Sequence, residues 1–160
     1  MNPDSKLTLI LNKTVISTSK HAFEAFIEPA EMSQWFTTSA KADLRVGGKY
    51  SNADGDRGEF LTLDPPREVA FTWENSKHCP GTVVTVSFTS ESAGMVLISL
   101  EHSGLRSQAD YEDMQGGWSW ALDSFKSYVE TGRPIPHEEW LKARSGKNKQ
   151  PPGGLEPSTC

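Results

Sequence analysis

The chain has 160 residues, of which 36% are hydrophobic and 23% charged, and its formal net charge is −5. That length suits one domain with a real hydrophobic core, and the composition lies far from that of a disordered chain. An acidic balance with no basic stripe argues against nucleic acid or an anionic membrane surface as a partner. The two cysteines, Cys79 beside Pro80 and Cys160 as the last residue, do not suggest a disulfide framework and fit a reducing compartment. No stretch approaches the ~20 apolar residues that span a bilayer. The run Leu7 to Leu11 is too short and too polar for a signal peptide, so a cytoplasmic location is expected.

Leu7 to Ile16 is rich in apolar and β-branched residues and reads as a first strand. Ser17, Thr18 or Ser19 can cap the helix that follows, in which Ala22, Phe23, Phe26 and Ile27 recur at helical spacing. Pro29 opens a second short helix ending near Trp35 and Phe36; proline is tolerated there because its missing N–H has no helical partner in a first turn. Strand signals then take over. Ala42 to Val46 and Lys49 to Ser51 read as a hairpin about Gly47-Gly48, where glycine supplies a positive φ. Glu59 to Leu63, Glu68 to Trp73, Thr82 to Phe88 and Met95 to His102 follow, separated by Asp64-Pro65-Pro66, Pro80-Gly81 and Ala93-Gly94. Strands joined by short turns predict an antiparallel meander.

Tyr111 to Thr131 carries the strongest helical pattern: Trp118, Leu122, Phe125 and Val129 share one face, and Gly132 with Arg133-Pro134 ends it. Runs of strands with segregated helices predict an α+β domain, a curved antiparallel sheet of about six or seven strands around the long C-terminal helix. The domain is expected over residues 1–132 and a C-terminal extension over 133–160, with a helical turn or two at His137 to Ala143 and a largely disordered tail from Ser145.

Several of these segments share one pattern. They are Glu28-Pro29 with Met32 and Trp35, the turn Asp43 to Tyr50, and Gly58 through Leu63-Asp64-Pro65-Pro66 to Trp73. His102-Ser103-Gly104-Leu105 and Gly117-Trp118 with Leu122 complete the set. In this order and spacing they resemble the START-like, or SRPBCC, superfamily, whose architecture is the helix-grip fold. Within it they are similar to the branch of activators of heat-shock-protein ATPase. The resemblance spans roughly residues 7 to 131, and the segment after Arg133 has no counterpart in it. It implies a fold, not an activity. It also implies a cavity, since START-like domains commonly hold one, and it brings a chaperone partner or a polyketide cyclase or hydrolase activity into view.

Strand phase places Val69, Phe71 and Trp73 on one face, as it does Val84, Val86 and Phe88, and Val96, Ile98, Leu100 and His102. With Trp35, Trp118, Leu122 and Phe125 these residues line the space between sheet and long helix. Two readings stay open: a filled core, or a cavity for a small hydrophobic molecule with Trp35, Val69, Phe71, Trp73, Val86, Phe88, Ile98, His102, Trp118, Leu122 and Phe125 around it. His102 ends an otherwise apolar phase at the expected rim, as a structural histidine, a polar anchor for ligand or a general base. Glu59 and Glu74 are read either as a carboxylate pair or as solvated charges. Gly116-Gly117 either loosens the helix start or admits a close strand. The scattered His21, His78, His102 and His137 lack ligand spacing, so no metal, cofactor or assigned catalytic residue is expected. The leading expectation is a START-like binding protein for a small hydrophobic ligand, stress-related, monomeric or homodimeric. The alternatives are a co-chaperone-like interaction module and a cyclase- or hydrolase-like enzyme using His102.

Overall fold

A computed structural model describes residues 6–36, 40–75, 81–92 and 94–148. His78, Cys79, Pro80, Cys160 and the tail from 149 lie outside them. The chain forms β1 (Leu7–Ile16), α1 (Ser19–Ile27), α2 (Pro29–Trp35), β2 (Lys41–Ala42), β3 (Lys49–Ser51), β4 (Arg57–Asp64) and β5 (Glu68–Trp73). It continues through β6 (Thr82–Ser92), β7 (Met95–Leu105), α3 (Gln108–Thr131) and α4 (His137–Asn148). The strands make one seven-stranded sheet in the order β1-β7-β6-β5-β4-β3-β2, antiparallel at every pairing. This is the expected α+β helix-grip arrangement.

Local chemistry sets the element ends. Of the three candidate caps before α1, Thr18 serves: its hydroxyl accepts the His21 N–H at 3.1 Å. Ser107 does the same for α3, accepting from Asp110 at 3.0 Å, and so the helix begins earlier than its apolar stripe suggests. Gly132 closes α3 at φ 83°, in the left-handed region that favours glycine, and its N–H reaches the Tyr128 carbonyl at 2.8 Å. The expected strand Ala42 to Val46 shrinks to Lys41–Ala42. The chain beyond folds on itself, with Arg45 donating to the Asp43 carbonyl and Gly48 to that of Arg45, both at 2.8 Å. A Cβ on Gly48 would sit 2.0 Å from the Asp43 carbonyl oxygen, so this turn requires glycine.

The concave face of the sheet is apolar and α3 lies across it. Trp118, Leu122 and Phe125 are buried there, joined from the other side by Phe23 and Phe26 of α1. Phe26, Trp35 and Phe125 meet ring to ring at centroid distances of 4.9 to 5.5 Å, spacings at which offset or edge-on rings attract. Gly116 and Gly117 sit inside an unbroken helix, and a Cβ on either would meet nothing within 4 Å, so no strand approaches them closely.

The chain beyond Gly132 returns to α3. The Ile135 carbonyl accepts the Trp120 indole N–H at 2.7 Å, and its own N–H donates to Ser124 at 3.1 Å. Trp140, 8% exposed, donates its indole N–H to Asp123 at 2.8 Å. The helical stretch is therefore longer than a turn or two, and its start is docked by two tryptophans.

Candidate functional site: an aromatic pocket at one end of the sheet

The pocket opens between the α1–α2 corner, the β2–β5 end of the sheet and the first half of α3. Its empty volume is about 580 Å³, with open solvent at its mouth included. Each wall is held by its own bonds. Trp35 donates its indole N–H to the Ala25 carbonyl at 2.9 Å, and Ser124 of α3 donates to the Trp35 carbonyl at 2.8 Å. Phe36 is stacked between Trp118 and Trp120, at 5.7 and 5.8 Å. Tyr50 donates its hydroxyl to the Thr72 carbonyl at 2.6 Å, and its ring packs on Phe60 and Phe71. Burial pushes the Tyr50 phenol far above its ordinary range, with the charges of Asp56 and Glu74 adding to the effect. Gly58 makes this corner possible: a Cβ there would lie 1.9 Å from the Thr72 carbonyl oxygen and 2.7 Å from the Tyr50 ring.

The polar end of the pocket comes from β2, β3 and the turn after it. Asp56 is 6% exposed. One carboxylate oxygen accepts from Asn75 and the other from Asn52, each at 3.2 Å. Burial holds its carboxyl above the usual range, partly offset by these two bonds.

Of the residues expected around the cavity, Trp35, Phe71, Trp73 and Trp118 line the pocket. Val69, Val86, Phe88, Ile98, Leu122 and Phe125 do not line it; they belong to the packed hydrophobic core behind it. The middle of the sheet is filled, and the hollow lies at its β2–β5 end. Phe26, Met32, Phe36, Tyr50, Phe60 and Asp56 line the pocket without having been expected there. The phase signal for Phe60 was present, because it pairs with Phe71 on the neighbouring strand.

His102 is not at a rim. It is 0% exposed and both ring nitrogens are engaged. The Trp118 indole N–H, which can only donate, reaches Nδ1 at 3.0 Å. Nδ1 is therefore the acceptor, and the proton of the neutral ring sits on Nε2, 2.9 Å from the Thr82 hydroxyl. Thr82 passes its own proton to the Trp73 carbonyl at 2.6 Å. With no compensating charge, burial lowers the His102 pKa to about 4. This histidine ties two pocket tryptophans together from behind. Glu59 and Glu74 form no carboxylate pair: Glu59 is exposed and Glu74 pairs with Arg57 at 3.1 Å. Among the described residues no three His, Cys, Asp or Glu gather as metal ligands, and no helix is long and apolar enough to cross a membrane.

A curved sheet gripping one long helix, with a pocket where the two diverge, defines a START-like protein of the SRPBCC superfamily. The sequence profile of the activator of Hsp90 ATPase homolog 1-like proteins matches residues 17–130, and the chain belongs to that family. No curated protein matches the chain. Among solved structures, CalU16 from Micromonospora echinospora superposes with a TM-score of 0.72 at 25% identity, over 88% of this chain and 84% of that one. An HSP90 activator from Plasmodium falciparum gives 0.64 at 20% identity, over 90% and 97%. The Aha1 dimer from Colwellia psychrerythraea gives 0.69 at 16% identity, over 79% and 98%. The last two, at such identity, share the fold alone.

Proposed function

We propose that this protein is a noncatalytic carrier or sensor that holds a small hydrophobic molecule in the aromatic pocket. The observation that supports it best is the lining: aromatic and aliphatic side chains from seven elements surround a hollow with a single buried carboxylate. Ligand sites are of this kind, mostly apolar with a few placed polar groups. Burying an apolar ligand there gains about 25 cal/mol per Å² removed from water. The enzyme reading loses its one candidate base, because His102 has both nitrogens bonded and lies outside the pocket. The reading includes a stress-related role in the cytoplasm, as a monomer or homodimer.

The test is an environment-sensitive apolar dye with the folded protein and with Ala42→Trp, which fills the pocket from β2. The dye binds the wild type and quenches tryptophan emission, and the variant keeps its melting temperature but loses the dye. Equal binding to both proteins would sink the proposal. The chaperone-partner reading draws on the family name and the Plasmodium relative. It places function on the outer surface and expects dye binding to be absent or indifferent to Ala42→Trp.

A further inference from the structure

The pocket has a direction. Its body is ring-lined, while Lys41, Ser51, Asn52 and Asp56 gather at one end, contributed by the paired strands β2 and β3 and the turn between β3 and β4. Of these four, Asp56 alone is buried; Lys41 is exposed, so its ammonium stays in water. Asn52 builds the turn around Asp56, its side-chain oxygen accepting the backbone N–H groups of Asp54 and Asp56 at 2.9 and 3.2 Å. Its amide nitrogen, with that of Asn75, then holds the carboxylate in place. A carboxylate offers about four acceptor positions, so one bond to each oxygen leaves acceptor capacity. The charge also acts toward the pocket wall, since Asp56 is one of the two acids that raise the Tyr50 phenol.

Resting on the carrier reading above, we propose that Asp56 selects the ligand: a neutral, ring-bearing molecule whose polar end is a hydrogen-bond donor, with that donor given to the Asp56 carboxylate. An anionic end would face a buried acid across a medium that screens poorly. A wholly apolar ligand would fill the rings and leave the polar end dry and unmatched. A hydroxyl brought into the pocket without an acceptor would bind worse than hydrogen at the same position, because its hydration is lost. The sign of the hydroxyl effect therefore reports whether Asp56 receives it.

The experiment is calorimetric titration of the full chain with naphthalene, 2-naphthol and 2-naphthoate, three probes of one ring size. Expected for the wild type is 2-naphthol roughly tenfold or more tighter than naphthalene, as a bond to a charged acceptor allows, and 2-naphthoate weakest. Asp56→Asn, neutral and of equal size, narrows the preference for 2-naphthol and brings 2-naphthoate to within a few-fold of naphthalene. Naphthalene binding as well as 2-naphthol, 2-naphthoate binding tightest through Lys41, or an unchanged ranking in Asp56→Asn would each overturn the assignment while leaving the carrier reading standing. If none of the three binds the wild type, the carrier reading fails and this assignment with it. Should Asp56→Asn not fold, the wild-type ranking decides alone.

Discussion

Protonating His102 must break the wall behind the pocket. In the fold Nδ1 accepts from Trp118; an imidazolium carries a proton on both nitrogens, so two donors would meet head-on. Burial lowers the folded pKa to about 4 from the ordinary histidine value of 6.5. Between those values the unfolded chain binds more protons than the folded one, so stability rises with pH. His102 thus contributes stability that is fully present above pH ~6.5, declines as the pH falls, and levels off below about 4. At 1.36 kcal/mol per pKa unit, that window amounts to about 3 kcal/mol. His102→Asn offers an amide oxygen for the Trp118 N–H and cannot titrate, which isolates this group from the surface carboxylates. Urea unfolding of both proteins across pH 4 to 7.5, with the difference curve taken between them, is the measurement. We expect the variant to be less stable at pH 7, having lost the bond to Thr82, and the gap to close by about 3 kcal/mol toward pH 4. Parallel curves, within about 0.5 kcal/mol across the range, would show that the ring is not held neutral by burial.

Two further outcomes follow from the packing. Gly58→Ala places a methyl group against the Thr72 carbonyl and the Tyr50 ring; it should cost roughly 1–3 kcal/mol, as overpacking does, and weaken dye binding, and a neutral effect on both would show that the corner is soft. Ending the chain after Gly132 removes the Ile135 acceptor of Trp120 and the whole of Trp140. A melting temperature lower by several degrees is expected, at about 2–4 °C per kcal/mol for a chain of this size, whereas an unchanged value would mean that the segment contributes no stability.

The elements were legible in the sequence where a local rule decided them. β1 and β5 match their apolar and β-branched runs residue for residue, and Gly132 ends α3 as its left-handed conformation requires. Three pocket tryptophans and one phenylalanine were legible by phase along a strand or helix: Trp35, Trp73, Trp118 and Phe71. The rest of the pocket was hidden for a definable reason. Phase tells which side of the sheet a residue faces, not where along the sheet the helix stops touching it. Val86 and Phe88 share that side with Phe71, yet the packing of α1 and α3 fills the space above them. Asp56 sat in a turn whose composition reads as solvent-exposed, and only the bonds from Asn52 and Asn75 show that it is buried. Trp140 lay in a charged segment with no periodic apolar partner, and its hydrogen bond to Asp123 helps to anchor it.

The order of the sheet also has a meaning in time. β1 lies at an edge and has one partner, β7: Leu7 stands opposite Leu105 and Ile16 opposite Met95. Its remaining anchors come later still, from α3, where Lys126 donates to the Thr14 carbonyl at 3.0 Å and Glu130 accepts the Ile16 N–H at 2.8 Å. A ribosome adding about 5–20 residues per second needs roughly 4–16 s to make the chain between the two strands. Through that interval Leu9 and Val15, fully buried in the finished fold, belong to a strand that has been made but cannot pair. The strand made before the rest of this sheet is among the last to find its place, because its partner is the last strand of the sheet to be made.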